Sequence, residues 1–189
     1  MSVDKHQIRA LLAAHLDRHP EDRLPLTGLC EVLETPDAVP TSRKEFRGHV
    51  TAGAVLANEQ GLVLYIHHRA LDRWLLPGGH IEESDPFLAD AALRELCEET
   101  GIPAASVALV DQVPVDIDAH TIPENPKKAE PEHTHFDFRF VFRTRDTGLA
   151  LQTEEVTDAR WRPVQDIHGE RLRSRVRACL DRAGARTLR

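Results

Sequence analysis

Three glutamates lie close together in one short segment of the chain, Glu95, Glu98 and Glu99 in "RELCEETGI". On a helix that turns 100° per residue they fall within an arc of about 100°, so their carboxylates share one face. Like charges crowded on one face repel one another unless cations neutralise them. Hard divalent ions such as Mg²⁺ and Mn²⁺ prefer oxygen ligands, which makes this cluster a candidate metal site. An acidic face exposed to solvent is the alternative interpretation.

A second polar set alternates with phenylalanines in "HTHFDFRFVF". In a strand this alternation places the polar residues on one face and the phenylalanines in the core. The segment "VDIDAHTI" repeats the pattern, and a proline-rich loop joins the two. Strands that pair in the matching register would gather both polar rows in a small area. The polar residues are Asp116, Asp118, His120, His133, His135 and Asp137.

Three interpretations of these rows are open. A wall that contacts substrate would use imidazoles to donate to phosphate or to stack on a base. A second metal site would use His133 and His135, which point the same way, with a nearby aspartate completing a transition-metal ligand set. A solvated or internally hydrogen-bonded face would need no ligand.

The elements that must position these residues alternate between strands and helices. The glutamates lie on a predicted helix of about residues 85–100, which Gly101 ends. "HVTAGAVLA" and "LVLYIHH" flank "NEQG" as a predicted hairpin, and strands are predicted at 107–122 and 133–144. "ARWRPV" predicts a last strand and "GERLRSRVRACLDRAG" a basic helix. The order predicts a compact α/β (α+β) sandwich.

Composition limits the classes of function. The chain has 189 residues, enough for one domain, and a net charge of −7, which argues against non-specific binding to nucleic acid. Three widely spaced cysteines indicate reduced thiols rather than a disulfide framework. No apolar stretch is long enough to predict a signal peptide or a membrane span. We therefore expect a cytoplasmic protein with no membrane partner.

The segment from Gly79 to Ile102 resembles the signature of the Nudix hydrolase family, G-x5-E-x7-R-E-U-x-E-E-x-G-U, where U is a bulky aliphatic residue. Gly79 opens the motif and "RELCEETGI", which begins at Arg94, follows in register. Fourteen residues separate Gly79 from Arg94, one more than the pattern has, and Asp85 occupies the position of the first glutamate. The resemblance covers residues from about 46 to 165.

This resemblance implies a mixed-sheet α/β/α sandwich at residues 46–189, with residues 1–45 as a helical extension and linker. It also implies a hydrolase that cleaves a diphosphate linkage in a nucleoside diphosphate joined to another moiety, with Mg²⁺ or Mn²⁺ as cofactor. A non-catalytic ligand sensor or interaction module of the same fold is the alternative. The extension is interpreted as either a cap over the cleft or a homodimer interface.

The resemblance also implies residue roles. Metal ligands would be Glu95, Glu98, Glu99 and the carbonyl of Gly79, and the general base would be Glu95, Glu98 or a loop glutamate, with Glu155 preferred over Glu154. Arg94 would be structural and pair with Asp85, which has capping of the helix as its other option. A small-molecule nucleotide or other diphosphate would be bound by the two polar rows, with Arg69 and His80 as phosphate contacts.

Overall fold

The computed structural model of the protein describes residues 2–152 and 154–187. Its helices are α1 (Lys5–Arg18), α2 (Thr27–Glu34), α3 (Leu88–Thr100) and α4 (Glu170–Thr187). Its strands are β1 (His49–Ala57), β2 (Leu62–His68), β3 (Arg73–Leu75), β4 (Gly78–His80), β5 (Val107–Leu109), β6 (Asp116–Ile122), β7 (His133–Thr144) and β8 (Val156–Pro163). Short 3₁₀ turns include Pro20–Arg23 before α2.

The mixed sheet is organised around β1 and β7. These strands run parallel over nine residue pairs, from His49↔His135 to Ala57↔Arg143. On the far side of β1 lies β4, antiparallel to it, and β6 and β5 pair antiparallel with β7. The strand β2 meets β1 at the Ala57↔Val63 pair and continues antiparallel to β8 and β3. Parallel and antiparallel neighbours in one sheet match the predicted mixed topology.

Helices cover both faces of this sheet. On one face the alternate phenylalanines of β7, such as Phe138 and Phe140, are fully buried in a cluster with Leu96 of α3. On the other face Val55 and Val141 pack with apolar residues of α4. Helix on sheet on helix confirms the predicted fold class. Successive residues of β7 point to opposite faces, so Phe140 packs in one layer and Val141 in the other.

The N-terminal helices contribute to the same core. Asp4 caps α1, with its carboxylate accepting a hydrogen bond from the Gln7 N–H at 2.8 Å. Ile8 and Leu12 are buried in the cluster that contains the β7 phenylalanine Phe136. The two N-terminal helices, α1 and α2, therefore pack directly on the sheet. A domain boundary near residue 45 stays a prediction.

Two elements differ from their predicted limits. The strand predicted at 107–122 is two strands, β5 and β6, and Pro114 lies in the stretch that separates them, where it lacks an N–H for the ladder. Helix α3 begins at Leu88 instead of near residue 85, because the Asp85 carboxylate accepts the Glu82 N–H at 2.8 Å and closes a turn first. The helix ends as predicted, with Gly101 at φ 71°.

Candidate active site

Arg94 ties the loop before α3 to the helix itself. Its Nε and Nη2 donate to the two carboxylate oxygens of Asp85, each at 3.0 Å, and Nη2 also donates to the His80 carbonyl at 2.9 Å. Its Nη1 donates to Glu95 and Glu98, each at 3.1 Å. The structure thus brings the predicted pair Asp85 and Arg94 together in a bidentate ion pair. Asp85 does not cap α3.

The three glutamates of α3 have different environments. Glu99 is only 3% exposed and accepts a hydrogen bond from the Gly78 N–H at 3.1 Å. Burial raises the pKa of Glu99 to about 8, and burial also raises the pKa of Glu95. The side chain of Glu98 is 52% exposed. The cluster therefore contains a buried carboxyl, that of Glu99, and a solvent-exposed one, that of Glu98.

Strand β4 approaches this cluster through glycine. A Cβ atom on Gly79 would lie 2.6 Å from the Glu95 Oε1, closer than real carbon–oxygen contacts allow. A side chain at this position would displace the Glu95 carboxylate. Glycine at this position therefore leaves the Glu95 carboxylate in its place, and the backbone of Gly79 lies against that carboxylate.

Glu155 acts on the cluster from a separate loop, the one before β8. Its side chain is exposed. Burial is the main cause of the raised pKa of Glu95 and Glu99, and the negative charge of Glu155 is a smaller cause in both. The Arg69 N–H donates to the Glu155 carbonyl at 2.7 Å. This bond places Arg69, at the end of β2, beside the predicted loop glutamate.

The carboxylate set fits a divalent cation. Arg94 contacts Glu95 and Glu98, and Glu99 has a backbone N–H as its partner in the described part of the chain. Burial destabilises the ionised form of Glu99, and a bound cation would reverse this. All of the donors are oxygens, the ligand type that Mg²⁺ and Mn²⁺ take.

The two polar rows meet in the register that the sequence required. Asp116 lies opposite Arg139, Asp118 opposite Asp137, and His120 opposite His135. At the aspartate end the rows form ion pairs. Arg139 donates to Asp137 at 2.8 Å, to Asp118 at 3.1 Å and to Asp116 at 3.2 Å. Desolvation lowers the pKa of the partly buried Arg139, but the three carboxylates outweigh it and raise the pKa above its ordinary value.

Two arginines of α4 complete this ion-pair network. Arg175 bridges Asp116 and Asp22 with hydrogen bonds of 2.7 Å each, and Arg171 donates to Asp118 at 3.1 Å. The network joins α4 and the turn before α2 to β6. Sequence reasoning treated α4 only as a basic helix. The available signal was the four-residue spacing of Arg171 and Arg175, which puts them on one face.

At the other end the rows are histidine-rich. His133 and His135 lie beside His49, which sequence reasoning missed, with ring centroids of the His49–His135 pair 4.4 Å apart. The ring of His80 lies 5.3 Å from that of His135. Burial lowers the pKa of His80 to about 4 and that of His135 to about 3. The sequence indicated only that His49 begins a strand. It did not predict the parallel register of that strand with β7, which brings His49 next to His135.

The fold thus packs a helix with clustered carboxylates against a glycine-containing strand of a mixed sheet. The model of the NUDIX domain matches residues 47–182, and the chain belongs to this family. Family membership confirms the predicted identity of the segment from Gly79 to Ile102.

Known proteins similar to this chain support the enzyme class. A probable DHNTP pyrophosphohydrolase of Lactococcus lactis subsp. cremoris (strain MG1363) is 30% identical over 136 residues, which cover 69% of this chain and 75% of that protein. An RNA pyrophosphohydrolase of Roseobacter denitrificans is 31% identical over 123 residues, covering 61% and 76% respectively. The predicted class, a Nudix-type pyrophosphohydrolase acting on nucleoside diphosphate derivatives, is confirmed at this general level.

Solved structures agree on the fold. A NUDIX-family hydrolase from Clostridium perfringens superposes with a TM-score of 0.54 at 20% identity, covering 70% of this chain and 96% of that one. The dihydroneopterin triphosphate pyrophosphohydrolase of E. coli gives 0.52 at 18% identity, with coverage of 68% and 92%. At these identities the likeness concerns the backbone architecture.

In the described ranges, none of the helices combines the length and apolar character needed to cross a bilayer. The cytoplasmic location and the lack of a nucleic-acid partner stay predictions, and one relative is named for RNA. RNA therefore belongs among the substrates to be tested.

Proposed function

We propose that this chain is a Mg²⁺- or Mn²⁺-dependent hydrolase that cleaves a diphosphate linkage in a nucleoside diphosphate joined to another moiety. Glu95, Glu98 and Glu99 hold the metal, with the Gly79 carbonyl as a further ligand. The observation that carries the proposal is the burial of Glu99 and the partial burial of Glu95 on one helix face, where desolvation disfavours their ionised forms. Such a site is costly unless a cation binds there.

The metal-binding glutamates, Arg94 and Glu155 have different roles in the proposed reaction. A divalent ion bound by the carboxylates supplies charge neutralisation to the phosphates and acidifies a water molecule. Arg94 orders the ligands by holding Glu95 and Glu98 in one orientation. Glu155 is the candidate base that accepts the proton of the attacking water, because Arg94 already engages the other two candidates.

The positions of Arg69 and of the polar rows indicate which residues contact the substrate. Arg69, next to Glu155, binds phosphate oxygens at the mouth of the site. In the polar rows, arginines hold Asp116, Asp118 and Asp137, so these residues act by fixing the strands rather than by touching substrate directly. His120, whose side chain is 42% exposed, lies opposite His135, so it shares the face of the histidines and not that of the glutamates, and its contact with substrate stays a prediction.

A hydrolysis screen tests the proposal. Dihydroneopterin triphosphate, RNA with a 5′-triphosphate, ADP-ribose, dinucleotides and sugar nucleotides are incubated with the protein and Mg²⁺ or Mn²⁺, and phosphate products are measured. We expect ion-dependent turnover of at least one class. Glu98→Gln should lower kcat on the order of 100-fold or more, since the loss of second-layer partners alone costs about 10–100-fold at metal sites.

The matched control is Glu34→Gln, which removes an exposed helical glutamate of α2 outside the site. It should retain full activity. Equal activity of Glu98→Gln and the wild type would refute the assignment of the metal site. Tight binding of a diphosphate ligand without turnover of any class would support the non-catalytic sensor instead.

A further inference from the structure

We infer that His49, His133 and His135 form a second metal site, which binds a transition-metal ion of the Zn²⁺ type and is separate from the glutamate cluster. Each of the three offers one ring nitrogen, and these nitrogens all lie within 4.8 Å of one another. Two of the imidazoles come from alternate positions of β7, and the third comes from the facing residue of β1. Rigid strands therefore hold all three.

The backbone fixes which nitrogen of two of these rings is available. The His49 Nδ1 donates to the Glu45 carbonyl at 3.3 Å, and the His133 Nδ1 donates to the Pro131 carbonyl at 2.7 Å. A carbonyl only accepts, so the proton of each neutral ring is on Nδ1 and the lone pair is on Nε2. Metal-binding histidines typically anchor their second nitrogen in this way.

One distance inside the cluster already has the value that metal binding requires. The Nε2 atoms of His133 and His135 are 3.3 Å apart and share a hydrogen bond, in which the His135 N–H donates to the His133 lone pair. Two nitrogens bound to a tetrahedral Zn²⁺ at about 2.0–2.1 Å are separated by about 3.3–3.4 Å. The β7 histidines thus define one edge of a coordination tetrahedron, and the His49 nitrogen is within reach of a third corner.

The third nitrogen is unsatisfied. His49 is 1% exposed, and its Nε2 has no hydrogen-bond partner among the described residues. A buried polar atom without a partner costs free energy, on the order of 1–3 kcal/mol from general protein data. A cation at the centre of the cluster would satisfy this lone pair and replace the hydrogen bond between the two β7 histidines, with the proton of His135 moving to its Nδ1.

The same tautomers argue against a phosphate at this place. A phosphate oxygen accepts hydrogen bonds, and it needs N–H groups around it. His49 and His133 present lone pairs instead, so the centre is built for an electron-pair acceptor. Imidazoles without carboxylates favour Zn²⁺, Co²⁺ or Ni²⁺ over Mg²⁺, and three protein ligands leave one position of a tetrahedral ion for water or a substrate oxygen.

The site lies on the opposite face of the sheet from the glutamates. Gly79 of β4 faces Glu95, while the next residue, His80, places its ring against those of His49 and His135. Alternation along a strand turns successive residues to opposite faces. The inference is therefore independent of the proposed hydrolase function and is tested by binding alone.

Titration of the metal-stripped full-length protein with Co²⁺ tests the inference. We expect one equivalent to bind with the visible absorption of a four-coordinate ion, and Zn²⁺ to displace it. The absorption should persist in the double variant Glu95→Gln/Glu98→Gln. It should be lost in His133→Gln and in His135→Gln, with affinity lowered more than about 100-fold, since even the loss of outer-layer partners costs about 10–100-fold.

His6→Gln, a change of an exposed histidine on α1, is the matched control and should bind as the wild type does. Circular dichroism of each metal-free variant checks its fold. X-ray absorption of the wild-type zinc protein, which needs no variant, should show imidazole scattering. The inference is overturned if the spectrum lacks this scattering, if the stripped protein binds no ion, or if both histidine variants bind normally.

Discussion

Glu99 makes the stability of the metal-free protein depend on pH. Burial raises its pKa from 4.5 to about 8. A carboxyl with a raised folded-state pKa contributes stability that is complete below about pH 4.5 and is lost as the pH rises through about 8, because the unfolded chain ionises first. A separation of about 3.5 pH units corresponds to a free energy of about 5 kcal/mol, which is the largest loss we expect from this group.

The variant Glu99→Gln isolates this contribution. The amide keeps the size of the side chain and its oxygen still accepts the Gly78 N–H, but it cannot ionise. The NH2 group of the glutamine costs about 1–3 kcal/mol if it is buried without a hydrogen-bond partner. In EDTA we therefore expect the variant to be more stable than the wild type by about 2–4 kcal/mol at about pH 9, and no more stable at about pH 5.

Urea denaturation across this pH range, in EDTA and in Mn²⁺, measures both effects. Mn²⁺ should stabilise the wild type increasingly as the pH rises, because the ion binds the ionised carboxyl, and should stabilise Glu99→Gln far less. Glu34→Gln, at an exposed position, should follow the wild type in both buffers. Parallel pH profiles for the wild type and Glu99→Gln in EDTA would refute the assignment of a raised pKa to Glu99.

Three further substitutions test the framework. Arg94→Ala leaves the 4%-exposed Asp85 without its cation and should lower the free energy of unfolding by about 3–5 kcal/mol in urea denaturation. Gly79→Ala places a Cβ against Glu95 and should reduce kcat on the order of tenfold or more while the circular dichroism spectrum is unchanged. Arg175→Leu removes the cation between two buried aspartates and should lower the melting temperature by about 5 °C or more, whereas loss of activity without loss of stability would argue against a structural role.

Local patterns in the sequence predicted the parts of the site that lie on one element. The 3.6-residue period placed Glu95, Glu98 and Glu99 on one face of α3, and the two-residue period of β7 separated its histidines from its phenylalanines. Pairing of β6 with β7 was also foreseeable, because a single loop joins them and a one-residue slip would have moved the phenylalanine row out of the core. These features need only short-range geometry.

Contacts between distant elements were not predictable in this way. His49 reaches the β7 histidines through a parallel pairing between strands that are more than 75 residues apart, and nothing local specifies that register. The bond from Arg175 to Asp22 spans 153 residues. The first contact depends on the order of strands in the sheet, and the second on how α4 docks against the N-terminal turn. Both are properties of the whole core and not of any one segment.

The two ends of the polar rows differ in a way that bears on their roles. At the aspartate end, Asp116 is fully buried, yet Arg139 and Arg175 satisfy its carboxylate. This end is complete as a structural element. At the histidine end, His49 is buried equally deeply but leaves a nitrogen without a partner. A row that served only stability would be satisfied along its whole length, since a half-satisfied polar network is less stable than an apolar one. The contrast agrees with the proposed roles, in which the aspartates are structural and the histidines bind a ligand.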